Sequence, residues 1–296
     1  MHRFQLPENS PNFLRPHVPK RGFDMLKNIP LSAAVGLFIT GLYFLAALFA
    51  PLIAPYGMAE TVGDVWESSS SAHWLGTDQI GRDLLTRMIY GGRTTIWIAT
   101  LATILSFVTG SVLGFLAAVV GGWLDQLLSR FVDLMMSIPS LILALVILSS
   151  IEATVLTLIV LMGLLDSTRV YRLARAVAVD ISVMDYVEAA RLRGEKLAWI
   201  IFREILPNAL SPLVAEMGLR FIFMVLFIST LSFLGIGVQP PLADWGGIVK
   251  ENKEGINFGI GAALYPAVAI ATLAISVNLV ADWILNRTTS LKGGRG

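Results

Sequence analysis

Five stretches of the chain carry no charged side chain and are dominated by apolar ones: Leu31–Ala59, Thr94–Leu124, Leu134–Ile151, Phe221–Ala243 and Gly255–Ala281. A bilayer core about 30 Å thick takes roughly 20 apolar residues to cross as a helix, so each stretch predicts one span. A sixth, Ala153–Leu165, is too short unless its helix runs on past Asp166 into the Arg169–Arg175 region. It is read as a span because otherwise the two halves of the chain would have incompatible orientations. The predicted fold class is an all-α polytopic membrane protein with about six transmembrane helices.

The basic residues orient these spans. With the N-terminus in the cytoplasm, Arg130, the Arg169–Arg203 segment, Arg287, Lys292 and Arg295 fall on that side. The opposite side keeps Arg82, Arg87, Arg93, Lys250 and Lys253, so both termini are expected inside. The organisation that follows is a cytoplasmic tail (1–28), a first helix (29–55) and an external loop with an interfacial helix (56–93). A five-helix core (94–286) and a short cytoplasmic tail (287–296) complete it. The basic N-terminal stretch precedes a run too long for a secretory signal, and Ala50-Pro51 and Ala54-Pro55 stand where a cleavage site would be, so that run reads as a retained anchor.

Composition agrees with an apolar solvent. Of 296 residues, 55% are hydrophobic and 15% charged, with a mean hydropathy of +0.71; a soluble domain carries about 25% charge. The net charge of +1 argues against polyanion binding, so nucleic acid is not an expected partner. Cysteine is absent, which excludes disulfides, thiolate metal sites and cysteine nucleophiles. His2, His17 and His73 lie scattered outside the apolar runs and offer little for a metal or catalytic site. There is no His-Glu-x-x-His stretch, no Gly-x-Ser-x-Gly elbow in a span and no Gly-x-x-x-x-Gly-Lys-Ser/Thr loop. No catalytic residue and no cofactor are therefore expected on this chain, and any nucleotide site belongs to another.

Between the fourth and fifth spans lies a polar, helix-compatible segment (176–207), too long to be an idle connection. It reads Tyr186-Val187-Glu188-Ala189-Ala190-Arg191-Leu192-Arg193-Gly194 and continues to Ile205-Leu206-Pro207-Asn208. Helical spacing puts Val183, Val187, Ala190 and Gly194 on one face of small side chains, open to close approach by another protein. Glu188, Arg191 and Arg193 edge that face and can fix register by charge pairs. Gly194 is the natural helix end, and Pro207 can start the next helix. The Glu-Ala-Ala, the Gly four residues after the second Ala, and the Ile-Leu-Pro-Asn resemble the EAA loop of importer-type ABC permeases. That resemblance implies a coupling helix docking into a cytoplasmic ATPase through Val187, Glu188, Ala189, Ala190, Arg191, Gly194 and Pro207. Glu204 departs from the pattern, which often has His there.

Two more segments narrow the family. His73-Trp74-Leu75-Gly76-Thr77-Asp78-Gln79-Ile80-Gly81-Arg82-Asp83 and Ser232-Phe233-Leu234-Gly235-Ile236-Gly237-Val238-Gln239-Pro240-Pro241, with Asp244-Trp245-Gly246, are similar to segments of dipeptide, oligopeptide and nickel importer permeases, specifically the second of the pair. Asp133 and Ile138-Pro139-Ser140 add a third match, and the likeness covers about residues 30–286. It implies a type I ABC importer transmembrane domain in the bacterial inner membrane. The implied partners are a second homologous permease, two ABC ATPases holding ATP and magnesium, and an external solute-binding protein. Asp78, Arg82 and Asp83 are spaced to pair with one another as a satisfied surface cluster; as a charged rim they, with Asp244, would orient the delivery protein. Gly76, Gly81, Gly91 and Gly92 suggest a broken, interface-lying helix, and Trp245 a headgroup-level anchor. Glu216 and Arg220, at i, i+4 near the cytoplasmic half of the fifth span, either line or gate the path or neutralise each other. A stand-alone secondary transporter is the alternative; it would show inverted repeats and mid-membrane acids, and no repeat is found.

Overall fold

The computed structural model describes residues 29–293, with side chains to Asn286; the expected tail 1–28 and the side chains of Arg287, Lys292 and Arg295 lie outside the described residues. Helices follow one another as α1 (Leu31–Leu48), α2 (Ala50–Ile53), α3 (Leu84–Val120), α4 (Gly122–Ser137), α5 (Ser140–Leu148) and α6 (Val155–Ser182). Then come α7 (Asp185–Leu192), α8 (Leu197–Trp199), a π turn (Ile200–Ile205), α9 (Leu206–Leu234), α10 (Trp245–Asn252) and α11 (Leu264–Gly293). No extended strand is present among the described residues, only two isolated β-bridges, Thr61 to Arg82 and Thr77 to Asp83.

The centre of the bundle is the pair α3 and α6, which run side by side in the same direction. Their contact is made at backbone distance. A Cβ on Gly110 would stand 2.6 Å from the Ser167 carbonyl oxygen, and one on Gly114 would stand 2.8 Å from that of Tyr171. This is the small-x-x-x-small pattern by which helices meet when lipid supplies no hydrophobic drive. Antiparallel to this pair, α4 and α5 return along α6, with Asp125 on Arg175, Ser129 on Tyr171 and Ser140 on Arg169. α1 runs antiparallel to α11, joined by Thr40 to Ser276 and Tyr43 to Thr272. Successive long segments thus alternate in direction. They bring residues 54–83 and α10 to one end of the bundle and α7 with the π turn to the other.

Several boundaries differ from the sequence reading. α3 begins at Leu84, so the last ten residues assigned to an external loop are its first turns, started by the Asp83 carboxylate accepting from the Thr86 N–H. The interfacial helix expected before it is absent: 54–83 folds as turns held by the two bridges. The third span is broken, α4 and α5 meeting at 83° across Ile138-Pro139. Proline there has no N–H to continue the ladder, and the residue before it avoids helical backbone. α6 runs well past Asp166, as its length required, so Arg169, expected at the start of the cytoplasmic segment, lies midway along the helix instead. Among the described residues, four helices are long and apolar enough to cross a membrane alone, five if the bent pair is one span, and α6 is the sixth once its charges are tolerated. The fifth span starts earlier and ends at Gly235, in left-handed backbone at φ 90°, not at Ala243.

Candidate functional site

The Glu-Ala-Ala segment forms α7, which stands off the bundle between the end of α6 and the π turn. Its carbonyls are closed off at Gly194, at φ 78° with open space around it. The face of small residues is turned the other way from expectation. Val187 and Ala190 are 0% exposed and pack with Ile181, Ile200 and Ile205. The side chains were small because the chain's own π turn lies against them, and Val183, past the end of α6, shares no face with them at 75% exposure. The outward surface includes Met184, Asp185, Glu188, Ala189, Arg191 and Leu192. Leu192, 83% exposed, is a large apolar side chain left open on this short helix. Arg193 lies over the Trp199 ring at 5.7 Å and ties the end of α7 to α8. The Tyr186 phenol is pushed up by burial, with Glu204 adding to the shift.

Pro207 does not open a new helix. The chain is already helical through α8 and the π turn, and Pro207 sits at the start of α9 with Pro212 one turn on. Neither has an N–H, so the α pattern cannot close over those positions and the wider turn precedes them.

The outer end corrects a second reading. Asp78, Arg82, Asp83 and Asp244 are buried, so they form no rim for a delivery protein. Asp78, 0% exposed, accepts from Arg82 Nε and Arg87 Nη1, both at 2.7 Å, and Glu251 of α10 accepts from Arg82 at 2.8 Å and from Arg87. Two acids and two guanidinium groups close on one another, joining loop 54–83, the first turn of α3 and α10. Burial pushes the Glu251 carboxyl up, against the pull of Arg82. Asp83 caps α3 and meets His73 Nδ1 at 3.2 Å. Asp244 caps α10, accepting from the Gly246 and Gly247 N–H groups, and burial pushes its carboxyl up to about 7. Trp245 is no headgroup anchor. It is buried in a slot that exists because Gly91 and Gly92 lack side chains, its indole N–H donating to the Met88 carbonyl at 3.0 Å.

The third cluster lies halfway along the helices. Arg220 is the middle residue of α9, and Glu216, one turn before it, accepts from its Nε at 2.8 Å. The pair is not self-contained. Arg220 also approaches Asp166 of α6 at 3.5 Å, and Asp166 takes Arg169 at 3.3 Å and the Ser106 hydroxyl at 3.0 Å. Asp166 is 1% exposed, whereas Arg169, Arg220 and Glu216 keep part of their surface open. Asp166 and Arg169 were legible only as charges that lengthened a span; their pairing with α9 was not, because it joins residues 54 positions apart.

A bundle of alternating apolar helices with a broken span, a helix projecting at one end and charges at half-depth is a multi-pass membrane protein of the permease type. The profile of the binding-protein-dependent transport system inner membrane component matches residues 110–290, and the chain belongs to that family. Similar proteins include a dipeptide transport system permease protein, DppC, of Alkalihalophilus pseudofirmus, 32% identical over 89% of this chain and 86% of its own length. A putative peptide transport system permease of Brucella suis is 36% identical over 85% of each chain. A glutathione transport system permease, GsiD, of Pectobacterium atrosepticum is 30% identical over 91% and 86%. The chain is thus the permease component of an ABC importer and not a stand-alone transporter, a multi-pass protein of the inner membrane.

Proposed function

We propose that this chain forms half of a path for peptides or a related small solute, with a second homologous permease as the other half. Two cytoplasmic ATPase subunits, binding ATP and magnesium, drive it, and an external binding protein delivers the solute. The observation that carries the reading is α7: a helix with the coupling sequence, packed inward by Val187 and Ala190 and presenting Glu188, Ala189, Arg191 and Leu192 outward at the end opposite the sealed cap. In this reading α7 is cytoplasmic and the cap external, which agrees with the basic bias of that end. Val187, Ala190, Gly194 and Pro207 shape the docking element, and the outward residues touch the ATPase. The peptide class rests on the names of the relatives, which transport dipeptides, peptides and glutathione.

Because the chain has no native cysteine, Ala189→Cys gives a single reporter on the outward surface. Paired with single cysteines around the cleft of its partner ATPase, it is expected to cross-link in the assembled transporter, and the cross-link should abolish ATP-driven uptake. A panel covering that cleft with no cross-link would sink the docking surface.

A further inference from the structure

We infer that Arg169 is a binding site for a carboxylate of the solute at the middle of the path. This deepens the proposed function and rests on it. Arg169 stands midway along α6, level with the middle of α9 and beside the break between α4 and α5. Its side chain is 32% exposed. A guanidinium at that depth is costly against hydrocarbon, about 2.5–3.5 kcal/mol on insertion scales, and such groups face protein or a wet cavity. Other charged side chains lie near it among apolar ones: Arg172 and Asp133 pair at 3.4 Å, and Glu216 and Arg220 pair on α9.

The guanidinium is positioned yet under-used. It offers five N–H donors, and its two hydrogen bonds, to Asp166 Oδ1 at 3.3 Å and to Ser140 Oγ at 3.4 Å, are both longer than the roughly 2.7–2.9 Å of a firm charge-assisted bond. The Phe223 ring lies beneath it at 4.6 Å and fixes its plane. Arg220, by contrast, is held by Glu216 at 2.8 Å. A cavity of about 80 Å³ opens at Arg169 between the Pro139 bend and Thr168. That volume suits a carboxylate, and a planar fork of donors matches its two oxygens. The Ser140 hydroxyl is a third donor.

The test places Ser140→Cys in the assembled transporter in membrane vesicles. Modification of this chain is followed by mass, using an anionic (sulfonatoethyl) and a cationic (trimethylammonioethyl) methanethiosulfonate across nucleotide states. The ratio of anionic to cationic rates is expected to fall about tenfold with Arg169→Gln and to hold with Arg169→Lys. Alanyl-alanine should slow the anionic reaction while alanyl-alaninamide does not. A cysteine that reacts with neither reagent in any nucleotide state, or a ratio unmoved by Arg169→Gln, overturns the site. Uptake of labelled alanyl-alanine by the parent assembly is scored separately. Uptake with an unmoved ratio removes the Arg169 site alone, and a moved ratio without uptake keeps the anion site and removes the peptide.

Discussion

The outer cap and the half-depth cluster contain the same charges, two carboxylates and two guanidinium groups, in opposite states of closure. In the cap, Asp78 and Arg87 are sealed and short bonds join Asp78 and Glu251 to both arginines. At half-depth only Asp166 is sealed, its bonds to Arg169 and Arg220 are long, and three of the four groups retain open surface. The first arrangement holds three chain segments together behind a closed surface, with even the unpaired Arg87 Nε buried out of a ligand's reach. The second stands where isolated charge is most expensive, yet leaves donors free. Burial and completeness of pairing, more than residue type, separate a staple from a binding surface.

The largest test of this contrast is Asp78→Ala, which leaves Arg87 buried with only Glu251. Removing one partner of a buried network costs about 3–5 kcal/mol, so thermal unfolding of the purified protein in detergent should begin far lower; an unchanged midpoint would show that the cap is held by something else. Next in size is a pH effect at the same end. The Asp244 carboxyl titrates at about 7 when folded and near 3.8 when not, so the folded state holds the proton more tightly. Its stabilising contribution is full at low pH and is lost as pH rises through the folded value. Between pH 5.5 and 7 the loss is roughly 2 kcal/mol. Glu251, also pushed up, acts in the same direction. Thermal midpoints should fall from pH 5.5 to 8, and Asp244→Asn, which keeps an oxygen for the Gly246 and Gly247 N–H groups, should flatten that slope. The smallest stability change is expected at half-depth. Arg220→Met leaves Asp166 its bonds to Arg169 and Ser106 and leaves Glu216 part-exposed, so the midpoint should shift less than with Asp78→Ala while uptake falls severely; a midpoint shift as large as that of Asp78→Ala would erase the distinction between the two clusters.

Much of the fold is legible in the sequence. Runs of apolar residues mark the spans because lipid leaves helices few alternatives, and the Glu-Ala-Ala segment was marked by its position between two of them. What sequence spacing hid is direction. Val187 and Ala190 were seen to share a face, but period alone does not say whether the face meets the chain's own π turn or another protein. Asp78, Arg82 and Asp83 looked like a local surface cluster because Glu251, the partner that seals Arg82 and Arg87, is more than 160 positions away. Trp245 resembled an interfacial anchor until Gly91 and Gly92 were brought beside it. Among the glycines, those flanked by apolar helix, Gly110 and Gly114, were the legible signal that went unused.

Those two glycines set how the molecule can deform. α3 is about 55 Å long, capped by Asp83 at the sealed end and turning at Gly121 near the other. With backbone pressed to backbone over Gly110 and Gly114, α3 and α6 have no cushion of side chains in which to slide. They behave as one stiff beam, and a tilt applied at its inner end must reappear, undiminished, at its outer tip.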